Sequence, residues 1–195
     1  MHVIRKLVAV LALAGACGAA SAAPRLVINH PTSVADRGDP IILEVLGTDF
    51  TDIVVSGGFN LDFDAHVLHL ESVTINTALW DFVCTQPACQ WQIDNVAGTL
   101  TDVSFNAFGN SPTGDFLAAT LGFTAKAPGT SALTLSASKW PFVNADAEEI
   151  DVSYNYPNDS VASVTVVPEP ATVASMLLGL GLLGIARLRR SVDAA

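Results

Sequence analysis

From residue 25 to residue 167 the chain alternates apolar and polar side chains with a period of two, and it nowhere sustains the 3.6-residue period of a helix. In the clearest run Phe59, Leu61 and Phe63 fall on one side and Asn60, Asp62 and Asp64 on the other. Similar runs cover 25–29, 41–46, 53–64, 67–75, 90–93, 100–108, 116–126, 132–138 and 161–166, divided by Gly, Pro, Asn and Asp clusters, the first break being 31–33. A strand sends successive side chains to opposite faces, so each run has one apolar face that needs a second layer to cover it. The expected fold is all-β, an antiparallel jelly-roll β-sandwich of about nine strands.

Half of the 195 residues are hydrophobic, which is high for an acidic soluble domain. The excess sits at the two ends. Residues 1–22 carry Arg5 and Lys6, an apolar stretch over 7–16, and Ala20, Ser21 and Ala22. A basic start, a short apolar middle and a small-residue site make a secretory signal peptide cleaved after Ala22. The rival is a lipoprotein signal acylated at Cys17, against which Ala14 stands where a Leu belongs. At the other end Pro168, Glu169 and Pro170 precede sixteen uncharged residues, 171–186, and then Arg187, Arg189 and Arg190. As a helix, 171–186 reaches about 24 Å, short of a hydrocarbon core of about 30 Å unless the bilayer thins or Arg187 snorkels. The arginines orient such a membrane helix with its C-terminus in the cytoplasm. A buried helix of the domain is the alternative, and it lacks a polar face to meet water.

Between the ends lies a single domain, residues 23–167. It holds 17 Asp and Glu against Arg25, Arg37, Lys126 and Lys139, a net charge of −13. That balance excludes a nucleic-acid backbone binder. The length excludes a multidomain enzyme.

The succession of Pro168, Glu169 and Pro170, an apolar span and an arginine tail behind a signal peptide resembles the PEP-CTERM sorting signal over 167–190. The resemblance implies a Gram-negative envelope and an exosortase-type membrane protease. That protease would cut near Pro168, Glu169 and Pro170 and pass the domain outward, in a setting of exopolysaccharide production. Two prolines also keep the segment out of helix and sheet, leaving it extended for a protease cleft. Within the domain, Gly57 and Gly58 ahead of Phe59, Leu61 and Phe63, then Asp64 turning back to Val67 and Leu68, look like the cohesin family. Asp36 to Pro40 ahead of Ile41 resembles its opening turn. Leu100 onward, 116–126 and the Pro128, Gly129, Thr130 turn resemble its later strands. The resemblance implies a nine-stranded jelly roll related to carbohydrate-binding modules. The chain departs from it by a cysteine-containing loop and by carrying no dockerin or catalytic unit.

That loop holds Cys84 and Cys89. Once Cys17 leaves with the signal peptide they are the remaining pair, and outside the cell they are expected to form a disulfide worth about 2 kcal/mol. A zinc site is the alternative and needs two further ligands, with His30, His66 and His69 the remaining histidines.

For catalysis there is no G-x-S-x-G, H-E-x-x-H or phosphate loop. His66 and His69 would point to opposite faces of a strand. Catalytic residues are therefore assigned to none, and the chain is expected not to be an enzyme. Trp80, Trp91, Tyr154 and Tyr156, with Trp140 as a further member, read either as a stacking strip for sugar rings or as core and loop packing. Asp146, Glu148 and Asp151, taken as one side of an extended segment, read either as calcium ligands or as a solvated acidic edge that deters strand pairing. Apart from calcium, no cofactor is expected.

The expected function is that of an exported, exosortase-processed surface or extracellular protein. Its precursor is held in the inner membrane through 171–186, and its partner is a polysaccharide or a dockerin-like protein module in a biofilm matrix. The alternatives are a purely structural matrix protein and a secreted polysaccharide hydrolase.

Overall fold

The computed structural model describes residues 22–82 and 90–168. Among them are twelve strands: β1 (Arg25–Ile28), β2 (Thr32–Asp36), β3 (Pro40–Phe50), β4 (Val54–Asp62), β5 (Leu68–Ile75), β6 (Gln92–Asp94), β7 (Thr99–Asn106), β8 (Gly114–Ala125), β9 (Gly129–Ser136), β10 (Val143–Asn144), β11 (Ser153–Tyr154) and β12 (Ala162–Val167). One 3-10 turn, Pro157–Asp159, is the only helical element described. The strands form two sheets. The first has the order β11-β1-β3-β8-β5 and the second β2-β12-β9-β4-β7-β6. In the second sheet β7 runs along one edge of β4, while β10 and β9 divide the other edge, β10 at Val54–Ser56 and β9 at Asn60–Asp62.

The period-two runs do what their pattern requires. Strand β3 alternates exposed Pro40 and Ile42 with buried Ile41, Leu43 and Val45, and β12 buries Ala162, Val164 and Val166. Phe59, Leu61 and Phe63 are all buried on the inner side. Asp64 makes the expected turn. Its Oδ1 accepts from His66 N at 2.8 Å and its carbonyl from Val67 N and Leu68 N, and both side chains return to the core. Gly57 and Gly58 permit close approaches: a Cβ on the first would lie 2.5 Å from the Phe142 ring, and one on the second 2.3 Å from the Val103 carbonyl.

One end of the core is a closed circuit of five rings. Phe50 meets Phe116 at 4.9 Å, Phe116 meets Trp80 at 5.3 Å, and Trp80 meets Phe105 at 4.4 Å. Phe105 meets Phe142 at 5.9 Å and Phe142 returns to Phe50 at 5.4 Å. These separations suit offset and edge-on packing of aromatic quadrupoles.

The fold differs from the expected sandwich in two respects. Three strands join the nine runs, namely β2, β10 and β11, and the sheets are mixed, since β11 pairs parallel to β1 and β2 parallel to β12. Strand β2 occupies the segment expected to break after Pro31. Its alternation is only between exposed and half-buried positions, because an edge strand is held through its backbone by one neighbour and leaves little hydrophobic signal. The two-residue strands β10 and β11 are too short to carry a period.

Residues 1–21 of the signal peptide, the Cys84–Cys89 pair, Glu169 and Pro170, the 171–186 segment and Arg187, Arg189 and Arg190 all lie outside the described residues. Among the described residues no helix is long and apolar enough to cross a membrane.

Candidate functional surface

The outer side of the second sheet carries a pocket of about 370 Å3. Its floor is the β4–β7 pair, where Ser56 faces Asn106 and Gly58 faces Ser104 across the ladder. These positions alternate with the core residues Phe59, Val103 and Phe105, so Ser56, Ser104 and Asn106 turn outward. One wall is the connection from β9 to β10, with Trp140, Pro141 and Val143. The absent side chain of Gly58 leaves room for the Trp140 Cβ above it. Ser138 Oγ accepts from Trp140 N at 3.1 Å and so fixes the start of that wall.

The opposite wall is Phe82. It pairs with Asn106 through two backbone hydrogen bonds of 3.0 and 3.1 Å, which extends the sheet past β7. Beside it the Phe108 ring lies 5.7 Å away, edge-on. Asp81 Oδ1, accepting from Phe108 N at 2.8 Å, holds that loop. Phe82, Phe108 and Trp140 are 48%, 80% and 37% exposed, and all three belong to this one surface. Charged residues adjoin it: Asp81 holds the Phe108 loop, Lys139 precedes Trp140, and Glu149 bridges to Val143. Lys139 Nζ donates to Asp102 Oδ2 at 2.9 Å and sits 5.4 Å from the centre of the Trp140 ring.

The aromatic residues expected to form a sugar strip are placed elsewhere. Trp80 is fully buried within the five-ring circuit, its indole N–H donating to the Leu117 carbonyl at 3.3 Å, so neither face is open to a ligand. Its turn is tied by Asn76, whose carbonyl accepts from Leu79 N and Trp80 N. Trp91 is half-buried against the core. Tyr154 and Tyr156 flank Asn155 in a seam between the sheets. Asn155 N donates to Leu26 of the first sheet, and its carboxamide bonds both backbone groups of Leu135 in the second. The Tyr154 hydroxyl lies 3.5 Å from the Gly58 carbonyl and the Tyr156 hydroxyl donates to the Ile28 carbonyl. Burial, and then the nearby Glu149 charge, push the Tyr154 phenol up to about 12, and burial raises Tyr156 as well.

The acidic segment is not extended. Asn144 Oδ1 accepts from Asp146 N and Glu148 N, Ala147 takes a left-handed φ of 63°, and Val143 bridges to Glu149. The turn spans Asn144 to Glu148, so the exposed Asp146, Glu148 and Asp151 do not lie along one extended strand. Among the described residues no three His, Cys, Asp or Glu converge as for a metal ion. Asp94 has a structural part: its Oδ1 accepts from Ala97 N and Val96 N, and those bonds, in that order, hold its carboxyl below the usual range.

Of the surface, only Trp140 stood among the sequence candidates. Phe82 lies in the same loop as Trp80, and Phe108 heads a Gly109, Asn110, Ser111, Pro112 turn cluster. A large aromatic at a turn was the available signal, and it does not by itself separate packing from display.

The fold defines a two-sheet β module that presents one outer sheet face. Its topology is that of cohesins. The chain is similar to CaCohA2 from Clostridium acetobutylicum at a TM-score of 0.55 and 18% identity, over 75% of this chain and 92% of that one. It is similar to a non-cellulosomal cohesin from the hyperthermophilic archaeon Archaeoglobus fulgidus at 0.56 and 17%, over 79% and 98%. It is also similar to the OlpA cohesin of Clostridium thermocellum, solved in a type I cohesin–dockerin complex, at 0.57 and 13%, over 75% and 100%. Residues 166–190 match the PEP-CTERM protein-sorting motif. A search of curated proteins returns no match.

Proposed function

We propose that the chain is an exported, non-catalytic binding module displayed at the cell surface or released outside it. Its precursor is held at the inner membrane through the C-terminal segment and processed by an exosortase-type protease near Pro168, Glu169 and Pro170. The observation that carries this reading is the junction. The sorting motif begins at residue 166, inside β12, so the address is joined to a cohesin-type sandwich with no spacer. Recognition would use the outer face of β4 and β7, by shape, stacking and hydrogen bonding, without a cofactor. A matrix polysaccharide is the first partner. A dockerin-like protein module is the second, favoured by the structural neighbours solved in complexes with dockerins.

The test compares the full chain with a variant carrying Pro168→Ala, Glu169→Ala and Pro170→Ala in a host that makes an exosortase. Mass spectrometry should find the parent chain outside the inner membrane and shortened at its C-terminus, with the variant uncut and membrane-bound. Recovery of the parent in the cytosol with Met1 and Ala195 both present would overturn the reading.

A further inference from the structure

The pocket between Trp140 and Phe82 has a composition that a protein-docking face does not require. Each wall carries one aromatic ring, Trp140 or Phe82, and the pocket lining carries no charged residue. Its floor offers two hydroxyls and a carboxamide, from Ser56, Ser104 and Asn106, each able both to donate and to accept. None of the three side chains has a hydrogen-bond partner among the described residues, which is unusual beside a well-ordered sheet. Ser104 is the telling one. It is only 6% exposed, yet no fully enclosed side-chain polar atom lacks a partner among the described residues. The Ser104 hydroxyl therefore keeps some exposure, on the pocket that Ser104 lines.

A volume of about 370 Å3 lies at the small end of the roughly 300–1,000 Å3 typical of small-ligand sites. It admits one ring-sized group and excludes a helix. A pyranose meets each of these features: C–H faces for the aromatic walls, and hydroxyls at its rim for the polar floor. The domain carries a net −13; beside the pocket Lys139 is taken up by Asp102, and Asp81 at the Phe108 loop has no cation paired with it among the described residues. That field repels uronic acids and sulfated sugars and selects neutral ones. Phe108, 80% exposed and edge-on to Phe82, continues the aromatic surface beyond the pocket, as a polymer longer than one unit needs.

We propose that this pocket is a saccharide subsite holding one neutral pyranose ring between Trp140 and Phe82, with the next ring of the polymer lying on Phe108. It rests on the reading of the chain as a displayed binding module and names the ligand class of that module.

The test is calorimetric titration of the full-length protein in detergent micelles with cellohexaose, mannohexaose, xylohexaose and, as an anionic comparator, oligogalacturonate. At least one neutral hexasaccharide is expected to bind and oligogalacturonate is not. Trp140→Ala should weaken the binding about tenfold or more, and Ser104→Ala and Asn106→Ala each about threefold to tenfold. If Trp140→Ala no longer melts cooperatively, the Ser104→Ala and Asn106→Ala variants decide. The subsite is overturned if none of the neutral hexasaccharides binds, if oligogalacturonate binds as well as they do, or if folded variants bind like the parent. A chain that is exported and processed but binds no sugar rejects the subsite alone. A chain that stays in the cytosol rejects the broader reading, whatever it binds.

Discussion

Asn155 shows how much of this fold hangs on single polar side chains in left-handed turns. With φ at 70° it joins Leu26 of one sheet to Leu135 of the other through three hydrogen bonds, a conformation Asn tolerates better than most residues. From sequence, Tyr154 and Tyr156 read either as part of a sugar-stacking strip or as packing. In the fold the tyrosines seal the seam. A testable consequence is alkaline. The chain holds two tyrosines, and both phenols are raised, Tyr154 to about 12 from an ordinary 10.0. A folded pKa above the unfolded one means the folded state binds its proton more tightly. The contribution is whole below pH 10 and is lost as pH rises through about 12. Ultraviolet titration should place both ionisations above that of free tyrosine, the Tyr154 tyrosinate rising together with unfolding toward pH 12. In Tyr154→Phe the fall in melting temperature over that range should be shallower. Normal titration of both phenols at pH 10 with the fold intact would refute this.

At the scale of elements, long alternating strands were legible and short or edge strands were not. Strands β3, β4, β5, β7, β8, β9 and β12 each bury a stripe deep enough to leave a period of two in the sequence. Strand β2 pairs with β12 through backbone groups, and β10 and β11 have two residues each, so their existence depends on what lies beside them. Trp80 follows the same rule. It belongs to none of the alternating runs, but the Asn76 turn folds it inward, where it joins rings delivered by β3, β7, β8 and the segment before β10. Trp80→Ala should therefore cost about 3–5 kcal/mol in denaturant unfolding, the range for emptying a large aromatic from a core. A change below about 1 kcal/mol, with selective loss of ligand binding, would favour the sugar-stacking alternative for Trp80.

At the scale of the molecule, charge and connectivity dominate. The domain holds −13 with four Lys and Arg. Among the described residues Lys139 with Asp102 is the one ion pair that includes a Lys or Arg, and exposed pairs of that kind contribute little. Self-repulsion among the acids is thus largely uncompensated. Raising sodium chloride from a few millimolar to physiological strength should raise the melting temperature by a few degrees as the Debye length shortens to about 8 Å. A flat or falling response in a calorimetric scan would show that the charges are already balanced. What the sequence determined unaided is whatever depends on local order: the alternation that makes strands, the Asp64 turn, and the linear sorting motif over 166–190. Tertiary structure alone decided which aromatics are displayed, since exposure depends on what residues distant in the chain place above a ring. It buried Trp80, enlisted Tyr154 and Tyr156 in the seam, turned the chain between Asn144 and Glu148, and brought Phe82, Phe108 and Trp140 onto one outer face.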